Sequence, residues 1–176
     1  SRVVDVSISQ DSKYLAIAEI DLSGILIQSS IQIISMDLAK SKPEEAMIYK
    51  YESTTGKMIM NIEYQEQNQL LCMYSDGISV LKEKENTNLA EFENSNSEFM
   101  TIDLSNRIAI IDENSTGEYT ADTSVRIINP TTKKEKNYIT KNIAKSIKTS
   151  NNKIALNFGT ELHIIDKNGI LLKRYK

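Results

Sequence analysis

A short apolar run built around a small residue occurs four times along this 176-residue chain, each time followed by a second run that ends in a polar residue. The first runs are Leu15-Ala16-Ile17-Ala18, Leu71-Cys72-Met73-Tyr74, Ile108-Ala109-Ile110-Ile111 and Ile154-Ala155-Leu156-Asn157. The second are Ile31-Gln32-Ile33-Ile34-Ser35, Ile78-Ser79-Val80-Leu81-Lys82, Val125-Arg126-Ile127-Ile128-Asn129 and Leu162-His163-Ile164-Ile165-Asp166. From Ala16 to Cys72, Ala109 and Ala155 the steps are 56, 37 and 46 residues; between the second runs they are 47, 47 and 37. Units of this length, each holding several short strands, are the pattern of β-propeller blades.

The expected fold is therefore all-β: a β-propeller of four blades, each of four antiparallel strands, in a single domain. The blades fall at about 2–53, 57–93, 97–140 and 142–176. Turn chemistry separates the strands, as at Gln10-Asp11-Ser12, Ser75-Asp76-Gly77 and Lys167-Asn168-Gly169. Long helices are not expected, and only Asp37–Glu45 has room for a helical turn. The last strand of the second blade is expected at Asn88–Glu93. A solenoid would need a shorter, more uniform period, and a sandwich would not need four copies of one internal order.

The second strand of every blade is nearly continuous in apolar residues, which predicts that both of its faces are covered. The first strands alternate instead, as in Val4-Asp5-Val6-Ser7-Ile8. In a propeller the first strand lines the central channel, so the polar members are expected to face solvent there. Asp5, Asn61, Glu63, Thr101 and Asp103 are the channel candidates, an acidic and polar set.

Composition removes several function classes. The net charge is −3 with Lys and Glu interspersed, so no basic stripe is present to displace phosphate counterions, and nucleic acid is not an expected partner. The longest apolar stretches are far below the roughly 20 residues that span a bilayer, so this segment is expected to make no membrane contact. A single cysteine excludes an internal disulfide, and Cys72 occupies a position that alanine fills in the other runs. The lone His163 lies mid-strand with no nucleophile motif beside it. One His and one Cys cannot build a closed zinc site, and no cofactor is implied. The oxygen-rich segment Asp112–Asp122 lacks the fixed spacing of a calcium loop.

That segment has a geometric role. It joins the second and third strands of blade three, and its counterpart in blade one is Asp21–Ser29, whereas blades two and four use tight turns. Two blades thus carry extended hairpin arms, and protrusions on a rigid scaffold are where binding resides. The first arm holds Leu22, Ile25, Leu26 and Ile27, and the second holds Tyr119. The apolar side chains of the first arm either meet a partner or fold back on a neighbouring blade.

Two resemblances add to this. Ser9-Gln10-Asp11-Ser12-Lys13-Tyr14-Leu15-Ala16 resembles the Ser-Pro-Asp-Gly-Lys signature of WD40-like repeats in TolB-type propellers, with Gln10 and Ser12 in place of the usual Pro and Gly. Over more of the chain, Val4–Ser9, Leu15-Ala16, Ser23–Ile31 and Ser146–Gly169 are similar to an uncharacterised propeller-like family of Gram-positive bacteria. That resemblance implies one N-terminal membrane helix and a propeller roughly twice this length outside the membrane, of which this chain matches the later blades. It implies an extracytoplasmic, membrane-anchored protein with no catalytic motif.

The chain begins at Ser1-Arg2, directly on a strand, and reads as a piece of a longer protein or as half of a homodimer. The expected function is a non-enzymatic binding module for a protein partner or an unknown small ligand, using the arms and one channel mouth. The alternative is a hydrolase or lyase acting on saccharides or peptides, with Glu63 and Asp103 as its carboxylates.

Overall fold

Four antiparallel sheets of four strands each follow one another along the chain, every strand pairing with its sequence neighbour. The computed structural model describes residues 1–53, 56–65, 68–91, 99–103, 107–115, 121–129, 132, 134–142, 144–150 and 152–176, with the backbone alone at 99–103, 107–115 and 121–124. The first sheet holds β1 (Arg2–Ile8), β2 (Tyr14–Asp21), β3 (Gln28–Ser35) and β4 (Met47–Glu52). The second holds β5 (Ile59–Tyr64), β6 (Leu70–Tyr74), β7 (Gly77–Lys82) and β8 (Glu85–Glu91). The third is β9 (Phe99–Asp103), β10 (Arg107–Ser115), β11 (Ala121–Ile128) and β12 (Glu135–Thr140). The fourth is β13 (Ser146–Ser150), β14 (Lys153–Asn157), β15 (Leu162–Asp166) and β16 (Leu171–Tyr175). Two compact units divide them, Ser1–Glu93 with the first two sheets and Asn94–Lys176 with the last two.

The one α-helix among the described residues, α1 (Met36–Ser41), lies between β3 and β4 and is followed by a 3-10 turn at Pro43–Glu45. Ser35 caps it by accepting a hydrogen bond from the Leu38 amide, and Asp37 and Lys40 complement its dipole. The strand positions follow the expected blades closely. Three starts move by three residues: β11 begins earlier, at Ala121, β13 later, at Ser146, and β8 earlier, at Glu85, because Lys82 pairs with Glu85 across a tight turn in which Glu83 takes φ +55°. A charged Lys-Glu-Lys-Glu stretch carries no apolar signal for a hairpin.

The signature-like turn between β1 and β2 keeps its shape despite its departures. Ser9 Oγ accepts from the Tyr14 amide at 2.9 Å and donates to Asp11 Oδ1 at 2.7 Å. Ser12 adopts φ +58°, the left-handed conformation that glycine takes without strain. The hydrogen bond from Ser9, then the Lys13 amide, holds the Asp11 carboxyl below its usual range.

Each unit has its own core. In the first, Ala16, Ala18, Ile20 and Ile31 of the first sheet meet Ile59, Ile62, Leu70 and Cys72 of the second. Fully buried Ile and Leu side chains such as Ile31, Ile59 and Leu70 contribute roughly 1.5–3 kcal/mol each. In the second unit Val125 and Ile127 of the third sheet pack with Ile147, Ile154, Leu156 and Ile165 of the fourth.

The continuous apolar runs do not all behave alike. Every residue of β6 is buried, so both of its faces are covered. In β2 and β14 burial alternates with partial exposure, so a single face carries the core. The alternation of β1 is reversed relative to expectation: Val6 and Ile8 are 55% and 57% exposed, while Asp5 and Ser7 are partly buried. The polar side of β1 is occupied by the second sheet.

Ala18 and Cys72 have no exposed surface, and the small residue at each run centre is what lets the two sheets meet there. Enlarging Ala18 to Leu should overpack this seam and cost about 1–3 kcal/mol in urea unfolding. A cost near zero would show that the seam has room and that the small residue is not required.

Candidate functional site

One end of the first unit gathers three connections: the β2–β3 loop, the crossing from β4 to β5, and the β6–β7 turn. The first arm is here, shorter than its sequence segment because β2 extends to Asp21 and β3 begins at Gln28. What protrudes is the loop Leu22–Ile27. Asp21 Oδ1 accepts from the Ser23 amide at 2.9 Å, which starts the loop and lowers the Asp21 pKa.

Within this loop Ile25 is fully exposed, and Leu22 and Leu26 are 59% and 58% exposed. These three side chains do not fold back onto a blade. Ile27 differs: it is partly buried, and its carbonyl accepts from the Gly56 amide at 3.1 Å. Gly56 takes φ +91°, which a residue bearing a Cβ rarely adopts.

The foot of the arm is fastened by Ser29, which is 2% exposed. Its hydroxyl donates to the Lys57 carbonyl at 2.7 Å and accepts from the Ile59 amide at 2.9 Å. Its own carbonyl accepts from the Ser53 amide at 2.9 Å. Lys57 in turn pairs with Asp76 of the β6–β7 turn at 2.8 Å. A mobile-looking sequence thus sits on a fixed base, and Ser29 carried no sign of that role beyond its place before an apolar run.

The channel candidates separate. Asp5 Oδ2 accepts from the Ile62 amide at 2.8 Å and Oδ1 accepts from the Val6 amide at 2.9 Å. Ser7 Oγ accepts from the Tyr64 amide at 2.9 Å. Both residues of β1 therefore serve main-chain donors on the open edge of β5, and Asp5 does not stand free in a channel. Asn61 and Glu63 lie partly buried on β5, paired in register with Met73 and Leu71. Thr101 and Asp103 lie on β9, where Asp103 pairs in register with Arg107; their side chains are outside the description.

Tyr119 falls outside the described residues. The second arm is regular where it is described: β10 and β11 stay in register out to Ser115 opposite Ala121. Asp112, Glu113 and Asn114 are thus ladder residues rather than members of a loop. Among the described residues no group of three or more His, Cys, Asp or Glu is placed to hold a metal ion.

His163 is buried in the fourth sheet beside Phe158, with ring centroids 4.5 Å apart. Its Nε2 lies 3.1 Å from Glu161 Oε2 and its Nδ1 2.9 Å from the Tyr138 hydroxyl. An ionised carboxylate only accepts, so Nε2 carries the proton and Nδ1 accepts from Tyr138. Arg174 donates from both Nε and an Nη to Glu161 at 2.6 Å. Arg174 first, then His163, lowers the Glu161 pKa to about 2. Burial pushes the Cys72 thiol far above the range in which it would ionise.

Four antiparallel four-stranded sheets following one another in this order make the chain a β-propeller-type protein. It belongs to the Family of unknown function (DUF5711), which matches residues 2–176. No curated protein matches its sequence significantly. Among solved structures it is similar to Sqt1 from Chaetomium thermophilum, with 13% identity, TM-score 0.62, and coverage of 95% of this chain and 44% of that one. It is similar to the extracellular domain of the putative hybrid two component system BT4673 from B. thetaiotaomicron (14%, TM-score 0.60, 99% and 29%). It is also similar to a calcium-binding protein, regucalcin, from Agrobacterium tumefaciens (14%, TM-score 0.57, 98% and 58%). The chain spans less than half the length of Sqt1. Among the described residues no helix is long and apolar enough to cross a membrane.

The Glu161 carboxylate is depressed below its ordinary value of 4.5, so the stability it contributes is present above that value and is lost as pH falls toward about 2. Glu161→Gln should therefore be less stable than the native chain at neutral pH, with the difference closing in acid. Thermal unfolding across that range checks it, and a difference independent of pH would contradict it.

Proposed function

We propose that this chain is a non-enzymatic β-propeller binding module of an extracytoplasmic protein, and that the Leu22–Ile27 arm contacts a protein partner. The observation that carries the reading is the arm itself. Three large apolar side chains stand in solvent on a loop whose foot is held by Ser29 and Gly56. Exposed aliphatic side chains on a pre-positioned loop lose little conformational freedom on docking, which favours a protein contact.

The groups that would carry chemistry support the non-enzymatic part. Asp5 is engaged by main-chain donors, His163 is enclosed by Tyr138 and Glu161, and the Cys72 thiol is kept protonated by burial. Sequence resemblance to a membrane-anchored Gram-positive family supports the extracytoplasmic setting. The fold shared with an extracellular domain fits it.

Two variants test the arm: replacement of Leu22–Ile27 by an Asn-Gly turn, and the triple change Leu22→Ser, Ile25→Ser, Leu26→Ser. The triple variant should unfold close to the native temperature, since Leu22, Ile25 and Leu26 are largely exposed, and the turn variant should unfold somewhat lower because it also loses the Ile27–Gly56 bond. In crosslinking pull-downs from cell-envelope extract, both should lose the same partner that the native chain retains. Unchanged partners in both variants would overturn the reading.

A further inference from the structure

Val3, Val6 and Ile8 of β1 are 53%, 55% and 57% exposed, on the face of the first sheet turned away from the second. Their register shows what kind of face this is. β1 pairs with β2 through a bulge between Val3 and Asp5, and β5 pairs with β6 through a bulge between Ile59 and Asn61. Counted from that shared bulge, Val3, Val6 and Ile8 correspond to Ile59, Ile62 and Tyr64. Those three are 1%, 3% and 5% exposed, because the first sheet covers them. The outer face of the first sheet is thus a receiving face of the same build, left uncovered among the described residues of its unit.

The covering face of the first sheet has a register of its own. Ala16 pairs with Ser7 and Ile33, Ala18 with Asp5 and Ile31, and Ile31 with Tyr51. The fourth sheet repeats it: Ala155 pairs with Lys148 and Ile164, Asn157 with Ser146 and Leu162, and Leu162 with Tyr175. A bulge also falls at the same place in both, after Ile33 in β3 and after Ile164 in β15. Ile154, Leu156 and Ile165 belong to the core shared with the third sheet, so their strand neighbours Ala155 and Ile164 lie on the opposite face. On that face Leu162 and Tyr175 are exposed, whereas Ile31, the counterpart of Leu162, is buried against the second sheet.

One chain therefore presents both halves of a seam, and charge fits them together. In the internal seam Tyr74 of the receiving sheet and Tyr51 of the covering sheet line one cavity. On the first sheet the place of Tyr74 is held by Glu19, which pairs with Val3 as Tyr74 pairs with Ile59. On the fourth sheet the place of Tyr51 is held by Tyr175, and Lys173 Nζ stands 4.6 Å from the centre of its ring. A carboxylate would meet an ammonium there. Lys148 is the departure, since it replaces the acceptor Ser7 and an ammonium only donates. Its long stem can carry the charge out to water, which leaves the Ile8 amide hydrated. The Val6 amide needs no new acceptor, because Asp5 Oδ1 takes it at 2.9 Å. Such a seam is weaker than the internal one and suits association that reverses.

We infer that this chain self-associates head to tail: the fourth sheet of one copy covers the outer face of the first sheet of a second copy, with Glu19 and Lys173 as the ion pair between them. A contact of this heterologous kind repeats from copy to copy until it closes into a ring. It goes beyond the arm contact and does not depend on it.

Sedimentation of the native chain at rising concentration should show the mass climbing from 19.9 kDa to twice that or more. Val6→Glu and Leu162→Glu each put a charge into one half of the seam, and each should weaken association about tenfold or more. Mixing the two variants should restore it, because one keeps an intact fourth sheet and the other an intact first sheet. Glu19→Lys should also weaken it about tenfold, and adding Lys173→Glu to the same chain should bring it back. A native chain that stays at 19.9 kDa throughout would overturn the inference. So would a mixture that stays dissociated while circular dichroism shows both variants folded, or a charge swap that restores nothing.

Discussion

The first strand of a blade has one edge with no strand beside it, and the fold of this chain depends on how that edge is closed. On β5 the amides of Ile59, Ile62 and Tyr64 point away from β6 and would be unpaired donors beside a hydrophobic core. Leaving one such donor buried and unpaired costs about 1–3 kcal/mol. Ser29, Asp5 and Ser7 of the first sheet accept them instead, at 2.8–2.9 Å. An open edge is also a template for pairing with another chain, and side-chain acceptors block it without adding a strand. The two sheets are thereby tied in register, and the same ties set the foot of the arm.

Packing and polar closure work on the same seam. Ala16, Ala18 and Cys72 leave space for two sheets to approach, while Asp5, Ser7 and Ser29 consume the donors exposed by that approach. The arm leaves this seam at Leu22. The second unit has a different centre, with His163 enclosed by Phe158, Tyr138 and Glu161 and secured from outside by Arg174.

The strand order was legible in the sequence because each strand repeats a local apolar pattern bounded by turn residues. The protruding arm was legible for the same reason: unequal repeat spacing has to be absorbed between fixed strands. Side-chain roles were not. Alternation in Val4-Asp5-Val6-Ser7-Ile8 tells that two faces differ, but not which one meets another sheet. Here the polar face does, because its acceptors match the amide spacing of β5. The partners of Asp5 and Ser7 lie 57 residues away, beyond any local signal.

Amide hydrogen exchange on Ile62 and Tyr64 addresses the edge closure most directly. Held by Asp5 and Ser7, both amides should exchange only through global unfolding, as slowly as those inside β6, and Asp5→Ala should release Ile62 selectively. Exchange of Ile62 and Tyr64 in the native chain at the rate of an exposed turn such as Gly24 would contradict the account.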